Sequence, residues 1–470
     1  MYERYDYIMN RWDKKISDIV LLLLTIGISM LYISLIFNSN IWTDEAFTIE
    51  LVSENSVRNI IMGTANDVHP PLYYLLVKVF ISIFGSSIQA FKIVSIIPMT
   101  LTMLLSYIYI APWFGRRTAI LFVLFLNAIP CVMEYGVQIR MYSWTIFFIT
   151  LAALSAYGVY RAETPKHWIL LSISALFACY THNFAMISAV FIYAILGLML
   201  VIKNKRFPYK WLLSGVFVGV CYIPWLVVLF IQTRNRVDNY WIEEITVETV
   251  LGYISDIFSS RIPFTTEIFT LLCAVSLLLC ITYIKRVREK ALYAIYLYAI
   301  PFLTAFTGIM VSIYVTPFFI ARYLLPCMGL LALALAITFG REKKVPYVFL
   351  SLFLVSMIAN SYYMNYEKEY NSTHTEELLA YMNHNLGEKD IILYNYEIYG
   401  FIYECYFDEE QLCFLGEMDF SSDYDTIWYF DSCVSPWLSE TTLIEHGLKK
   451  EYIATLGIEQ NDFILYKISR

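Results

Sequence analysis

An Asp-Glu pair, Asp44 and Glu45 in IWTDEAFTIE, follows the first long apolar segment, and Asp67 and His69 come soon after in NDVHPPLYY. A carboxylate within reach of a weakly acidic hydroxyl can take its proton as that oxygen attacks. Further along stand Glu134, Gln138 and Arg140 in PCVMEYGVQIRMYSW, His182 in CYTHNFA, and Gln232, Arg234 and Arg236 after YIPWLVVLF. Arg322 and Tyr323 follow in TPFFIARYLLP. Guanidinium forks are suited to phosphate or carboxylate oxygens. Each residue also has a structural alternative. Arginines at helix ends snorkel to headgroups, which by itself accounts for Arg140 or Arg322. Asp67 can cap a helix whose first turn carries the prolines, and His182 can be a satisfied interior histidine. Acids at a helix start suit its dipole, yet that asks for some acid there rather than for two side by side.

The elements that hold these residues follow from composition. Of 470 residues, 59% are hydrophobic and 16% charged, against about a quarter charged in soluble domains, so the chain is a membrane protein. Apolar runs near the ~20 residues that cross a bilayer recur at about 17–37, 88–111, 118–135, 143–160, 167–183, 185–202, 211–231, 266–284, 291–313, 319–339 and 345–362. Roughly eleven transmembrane helices are expected. One set of connections (RWDKK, GRR, RAETPK, KNKRFPYK, KRVREK, GREKK) carries about nineteen Lys/Arg against about six on the other side, which puts the N-terminus in the cytoplasm. The candidate residues then converge on the outer face from separate segments. Ionisable groups at membrane depth generally line a cavity or pathway. Glu45 through Ile61 has a partial amphipathic pattern, expected to be a helix on the membrane surface.

From about residue 363 the character changes, with about 21 acidic and about 6 basic residues and short apolar runs. TEELLAYMNHNL, EIYGFIYECYF and SETTLIEHGL are expected as helices, and DIILYNY, TIWYF and DFILYKI as strands. The fold class expected is an all-α polytopic membrane domain, 1–362, with a first outer loop at 38–87, and a small extracytoplasmic α/β domain, 363–470. No glycine-rich nucleotide fingerprint and no basic patch with interleaved aromatics is present, so nucleic acid is not an expected partner. The nine cysteines form no CxxC or Cys/His cluster. Three of them, Cys405, Cys413 and Cys433, fall in the tail, where a disulfide is open but unassigned.

WTDEAF followed by NDVHPPLYYLL resembles the first outer loop of GT-C integral membrane glycosyltransferases. The similarity is greatest to the group of protein O-mannosyltransferases, aminoarabinose transferases and RgtA-like proteins. QIRMYSW, YTHNFA, YIPWL and ARYLLP resemble later RgtA-like landmarks in the same order, over roughly residues 17–340. The resemblance implies an inverting transferase in the plasma membrane that moves a sugar from a polyprenyl-phosphate donor to an acceptor hydroxyl. The acceptor is a protein, a lipid or a wall polymer. Asp44 would be the general base, with Glu45 orienting it or the acceptor. Arg140 and Arg322 would hold the departing phosphate, with His69 or His182 assisting. Asp67, Glu134, Gln138 and Tyr323 complete the expected substrate-binding set. This chain departs from the aminoarabinose transferases, which carry a lysine near His69 and an aspartate where Glu134 and Gln138 fall. Asp67 and His69 could ligate a divalent cation, though no metal is expected to be required. A transporter or flippase of a lipid-linked sugar is the alternative. It would need polar sites near the bilayer midplane, where Lys92 is the nearest exception to apolar spans. An envelope-assembly scaffold, whose outer arginines would be dispensable, is a weaker third reading.

Overall fold

The computed structural model describes residues 2–37, 41–53, 55–235, 242, 245–284, 288–341, 347–370, 373–422, 424–459 and 461–470. The chain divides into two compact units: Met1–Ile36, Val57–Gly85 and Ala90–Asn365 form one; Phe37–Ser56, Ser86–Gln89 and Tyr366–Arg470 the other. The second unit thus takes the first half of the outer loop as well as the C-terminal segment.

The first unit is helical. It comprises α1 (Tyr2–Leu35), then, beyond α2 (Thr43–Ser53) of the second unit, α3 (Val57–Asn66), α4 (Leu72–Phe84) and α5 (Ile88–Leu105). A π-helical turn at Ser106–Ile110 leads into α6 (Ala111–Phe114), α7 (Arg116–Ala128) and α8 (Pro130–Val137). Next come α9 (Tyr142–Ala162), α10 (Pro165–Thr181), α11 (Asn183–Asn204) and α12 (Tyr209–Asn235). The unit continues with α13 (Val247–Phe258), α14 (Thr265–Tyr283), α15 (Arg288–Tyr314), a 3-10 segment Ala321–Cys327, α16 (Met328–Phe339) and α17 (Tyr347–Tyr370). Among the described residues, nine helices are long and apolar enough to cross a membrane, ten if α7 and α8, bent by 73° at Ile129, count as one span. The expected eleventh, α10, has 17 residues and is slightly short of a full crossing.

Burial separates the helices by role. Every residue of α16 is buried, whereas α12 exposes Leu213, Val216, Val220 and Phe230. A helix apolar all round belongs in the middle of a bundle, and apolar residues left exposed on a membrane-spanning helix face lipid. Gly329 lets α16 approach α9 closely: a Cβ there would lie 1.9 Å from the Thr150 hydroxyl oxygen. Tyr32 of α1 donates to Asn127 of α7 at 2.9 Å in the interior. Arg116 grips Asp18 with two bonds, 2.6 and 3.0 Å, tying the same helices at their other end.

The predicted surface helix from Glu45 to Ile61 is two helices, α2 and α3. Glu45, Ala46, Thr48, Leu51 and Val52 of α2 are buried, so α2 packs against protein and does not float on the membrane.

In the second unit α18 (Thr373–Asn385), α19 (Gly400–Tyr403) and α20 (Glu440–Glu445) accompany five strands: β1 (Ile391–Tyr394), β2 (Leu412–Phe414), β3 (Ile427–Asp431), β4 (Lys449–Ile458) and β5 (Asn461–Ser469). The sheet order is β2-β1-β3-β5-β4. Strand β1 is parallel to β2 and β3, and β5 is antiparallel to β3 and β4. Leu393, Ile427, Tyr429, Leu443 and Ile468 form its core. Cys405, Cys413 and Cys433 are free thiols.

Candidate functional site

The DVHPP segment joins α3 to α4. The Asp67 N–H donates to the Gly63 carbonyl at 3.0 Å, so Asp67 closes α3. The N-cap of α4 is Pro71, with no side-chain cap, which corrects the expectation that Asp67 caps that helix. Two amide side chains fix the loop. Gln232 of α12 puts its nitrogen 2.6 Å from the Asp67 carbonyl, 3.0 Å from that of Ala65 and 3.1 Å from that of Thr64. Asn183 of α11 donates to the Val68 carbonyl at 2.9 Å.

His69, so held, is buried and its ring lies 5.2 Å from that of His182. His182 occupies the turn between α10 and α11 in extended conformation. Its Nδ1 accepts the Phe184 N–H at 3.0 Å, making it the N-cap of α11. An imidazole nitrogen that accepts carries no proton, which assigns the ring proton to Nε2. The Nε2 atom is buried and has no hydrogen-bond partner among the described residues. Burial first, then the positive charges of Arg140 and Arg322, lower the His182 pKa to about 3, so the ring is neutral with a donor to offer.

Aromatic rings surround it. Tyr323 lies 5.2 Å and Tyr142 5.8 Å away, and Tyr142 in turn meets Tyr135 at 5.1 Å. Tyr135 and Arg322 line one cavity. Arg140 is only 3% exposed, which rules out headgroup snorkelling as its role. Its backbone N–H donates to the Gln138 carbonyl at 2.7 Å, and its own carbonyl accepts from Ser95 at 3.3 Å. Gln138 and Lys92 are buried nearby in sequence to these elements.

Two cavities flank the segment that carries Arg322 and Tyr323. One, of about 290 Å³, has His69, His182, Asn183, Gln232 and Tyr323 among apolar walls from α11, α12 and α15. The other, about 360 Å³, is lined by Glu134, Tyr135, Asp256, Ser259 and Arg322. Consecutive side chains thus line different cavities. Burial raises the pKa of Asp256.

The first unit therefore brings together His69, His182 and Tyr323 in one cavity and Glu134 with Arg322 in the other, with Arg140 acting on His182. Asp44 and Glu45 are in the first turn of α2, in the second unit. Asp44 is half-buried, and its carbonyl accepts the Thr48 hydroxyl at 3.0 Å. Glu45 is 1% exposed and accepts the Trp42 N–H at 3.2 Å. Among the described residues no group of three or more His, Cys, Asp or Glu is arranged to hold a metal. Arg236 lies outside the described residues. Sequence reasoning missed Asn183, Tyr135, Tyr142 and Asp256. Three of them neighbour residues it named, and Asp256, in a helix with its own apolar face, gave no local signal.

This is the fold of the GT-C membrane glycosyltransferases. Residues 68–228 match the family model of dolichyl-phosphate-mannose-protein mannosyltransferases. The chain is similar in structure to ArnT from Cupriavidus metallidurans bound to undecaprenyl phosphate, with TM-score 0.61, 12% identity, and coverage of 95% of this chain and 97% of that one. For the apo state of the same ArnT the TM-score is 0.60 at 11% identity, with the same coverage of 95% and 97%. No curated protein matches by sequence. With its apolar helices and this fold, the chain is a multi-pass membrane protein.

Proposed function

We propose that the protein is an inverting glycosyltransferase that moves a sugar from a polyprenyl-phosphate donor to an acceptor hydroxyl on the extracytoplasmic face of the plasma membrane. The observation that carries this reading is the pair of cavities flanking Arg322 and Tyr323. An apolar cavity with a polar end suits an isoprenoid tail and its phosphate; a polar pocket beside it suits a sugar. The ArnT structure bound to undecaprenyl phosphate supports the same donor class for a protein of this fold.

Arg140, Arg322 and the His182 Nε2–H would hold the phosphate oxygens. Asp44 would accept the proton of the acceptor hydroxyl as its oxygen attacks the anomeric carbon. The bond from that carbon to the phosphate oxygen breaks, its electron pair leaves with polyprenyl phosphate, and one displacement inverts the centre. Phosphate is a good leaving group and needs no proton. Glu45 holds the start of the helix that carries Asp44. No metal enters these steps.

The test is an assay of purified protein against a panel of polyprenyl-phosphate sugars, with and without EDTA. Transfer or hydrolysis of at least one donor, abolished in Asp44→Asn with donor binding retained and unaffected by EDTA, is the expected result. An Asp44→Asn variant with full activity would remove Asp44 from the mechanism. Donor movement across vesicles without bond cleavage would favour a flippase.

A further inference from the structure

Ile41, Trp42 and the first turn of α2 are fixed by two buried carboxylates from opposite ends of the chain. Glu45 supplies one, accepting the Trp42 N–H at 3.2 Å. The other comes from Glu459, in the turn between β4 and β5, whose Oε2 accepts the Ile41 N–H at 2.7 Å. The second oxygen of Glu459 accepts the Tyr406 hydroxyl. Its own N–H donates to the Thr375 hydroxyl at 2.6 Å, which ties the turn to α18. Glu459 is 7% exposed and Ile41 is fully buried. Its backbone stands at φ 55°, in the left-handed region, a conformation uncommon for residues other than glycine, asparagine and aspartate.

A hairpin turn has no intrinsic need of a buried carboxylate. Burying one is costly unless donors satisfy it, and here the donors are Ile41 and Tyr406. Along α2 the second contact is aromatic: Phe47 meets Phe401 of α19 edge to face at 5.5 Å. The backbone that enters α2 is thus set by the C-terminal segment, with Asp44 three residues beyond the anchored amide. A general base must stand within hydrogen-bond reach of the proton it removes, and a displacement of about 1 Å can cost on the order of 100-fold in rate.

We propose that the C-terminal domain is a positioning element for the transfer reaction: through Glu459 it anchors the backbone of Ile41 and thereby fixes where the Asp44 carboxylate stands. This rests on the reading of Asp44 as the base. Glu459 is a positioning residue, acting through the Ile41 backbone.

The experiment uses the full-length protein in detergent or nanodiscs with a donor that it turns over. Glu459→Ala should lower kcat at least about tenfold with KM for the donor changed less than about twofold, since the donor cavities are lined by the other unit. Hydrogen exchange at the Ile41 amide should accelerate at least about tenfold, while β3 and β5 stay protected. Glu459→Gln, whose amide oxygen still accepts from Ile41, should keep most of the activity. Unchanged exchange at Ile41, or faster exchange with unchanged kcat, overturns the proposal. Should alanine also deprotect the sheet, Glu459→Asp decides: one methylene too short to serve both donors, it should lose kcat with the sheet protected, and wild-type activity there overturns the idea. If Asp44→Asn proves fully active, the base assignment fails instead, and exchange at Ile41 separates the two failures.

Discussion

The rings of His69 and His182 lie 5.2 Å apart, centroid to centroid, although 113 positions separate them in sequence. One arrives on a loop pinned by Gln232 and Asn183, the other in a turn whose Nδ1 caps α11. The cap determines the chemistry. By using Nδ1 on a backbone N–H, His182 must keep its proton on Nε2 and present a neutral donor.

That fixes an expectation about pH. A histidine with a lowered pKa gains no charge on mild acidification, so binding of a polyprenyl-phosphate sugar, a singly charged diester, should not tighten between pH 7.5 and 5.5. His182→Ala should weaken donor binding about tenfold, the worth of one hydrogen bond to a charged acceptor. Titration of donor binding in wild type and variant checks both. An affinity that climbs at low pH and is flat in the variant would mean His182 binds as imidazolium.

Gln232 offers a different lever: it lines the cavity, yet its nitrogen bonds to backbone carbonyls. Its nitrogen serves the carbonyls of Thr64, Ala65 and Asp67, and the side chain is 7% exposed. Gln232→Ala leaves those carbonyls short of a donor at a cost of about 1–3 kcal/mol, and the loop that holds His69 loosens. The expected outcome is a several-fold weaker donor affinity with the helices still protected from hydrogen exchange. Gln232→Glu should be worse than alanine, since a carboxylate would face three carbonyl oxygens. Donor affinity in both variants equal to wild type would show that the clamp has no bearing on the site.

These two cases mark how far the sequence could be followed. Apolar runs of bilayer length and the one-sided excess of lysine and arginine need only local composition, and the helices stand where those runs fall. His182 and Arg322 were legible because a charged or titratable side chain beside a span is expensive and invites explanation. The clamp by Gln232 was not, because an amide bonding to backbone more than 160 residues away leaves no pattern in its own neighbourhood. In the second unit, β1, β3 and β5 are visible as apolar runs. Strand β4 begins Lys-Lys-Glu with its first four residues exposed; as an edge strand it carries charge where an interior strand would not, which hides it. Strand β2 has three residues, too few for periodicity. The largest surprise is α2. Its acids read as the start of a surface helix, yet its burial comes from the C-terminal segment, a tertiary contact that no local window holds.

That contact also carries a titration. Glu50, on α2, is partly exposed, and desolvation, followed by repulsion from Glu404 and Glu409, raises its pKa to about 7. For a carboxylic acid raised in the folded state, the folded form holds a proton that the unfolded form has already released. The stabilisation is therefore complete below about pH 4.5, falls as pH rises, and is gone above about pH 7. Protection of the α2 amides, corrected for intrinsic exchange rates, should drop about tenfold from pH 5 to pH 8, a smaller change than the full shift implies because solvent screens the exposed part of the group. Glu50→Gln stays neutral throughout and should flatten that slope, protecting α2 at pH 8 as the wild type does at pH 5. Its transfer rate at pH 8 should not fall below that of wild type, since Glu50 lies beyond the first turn that carries Asp44. A slope that survives in Glu50→Gln would show that Glu50 is not the titrating group and separate the titration from the packing of α2.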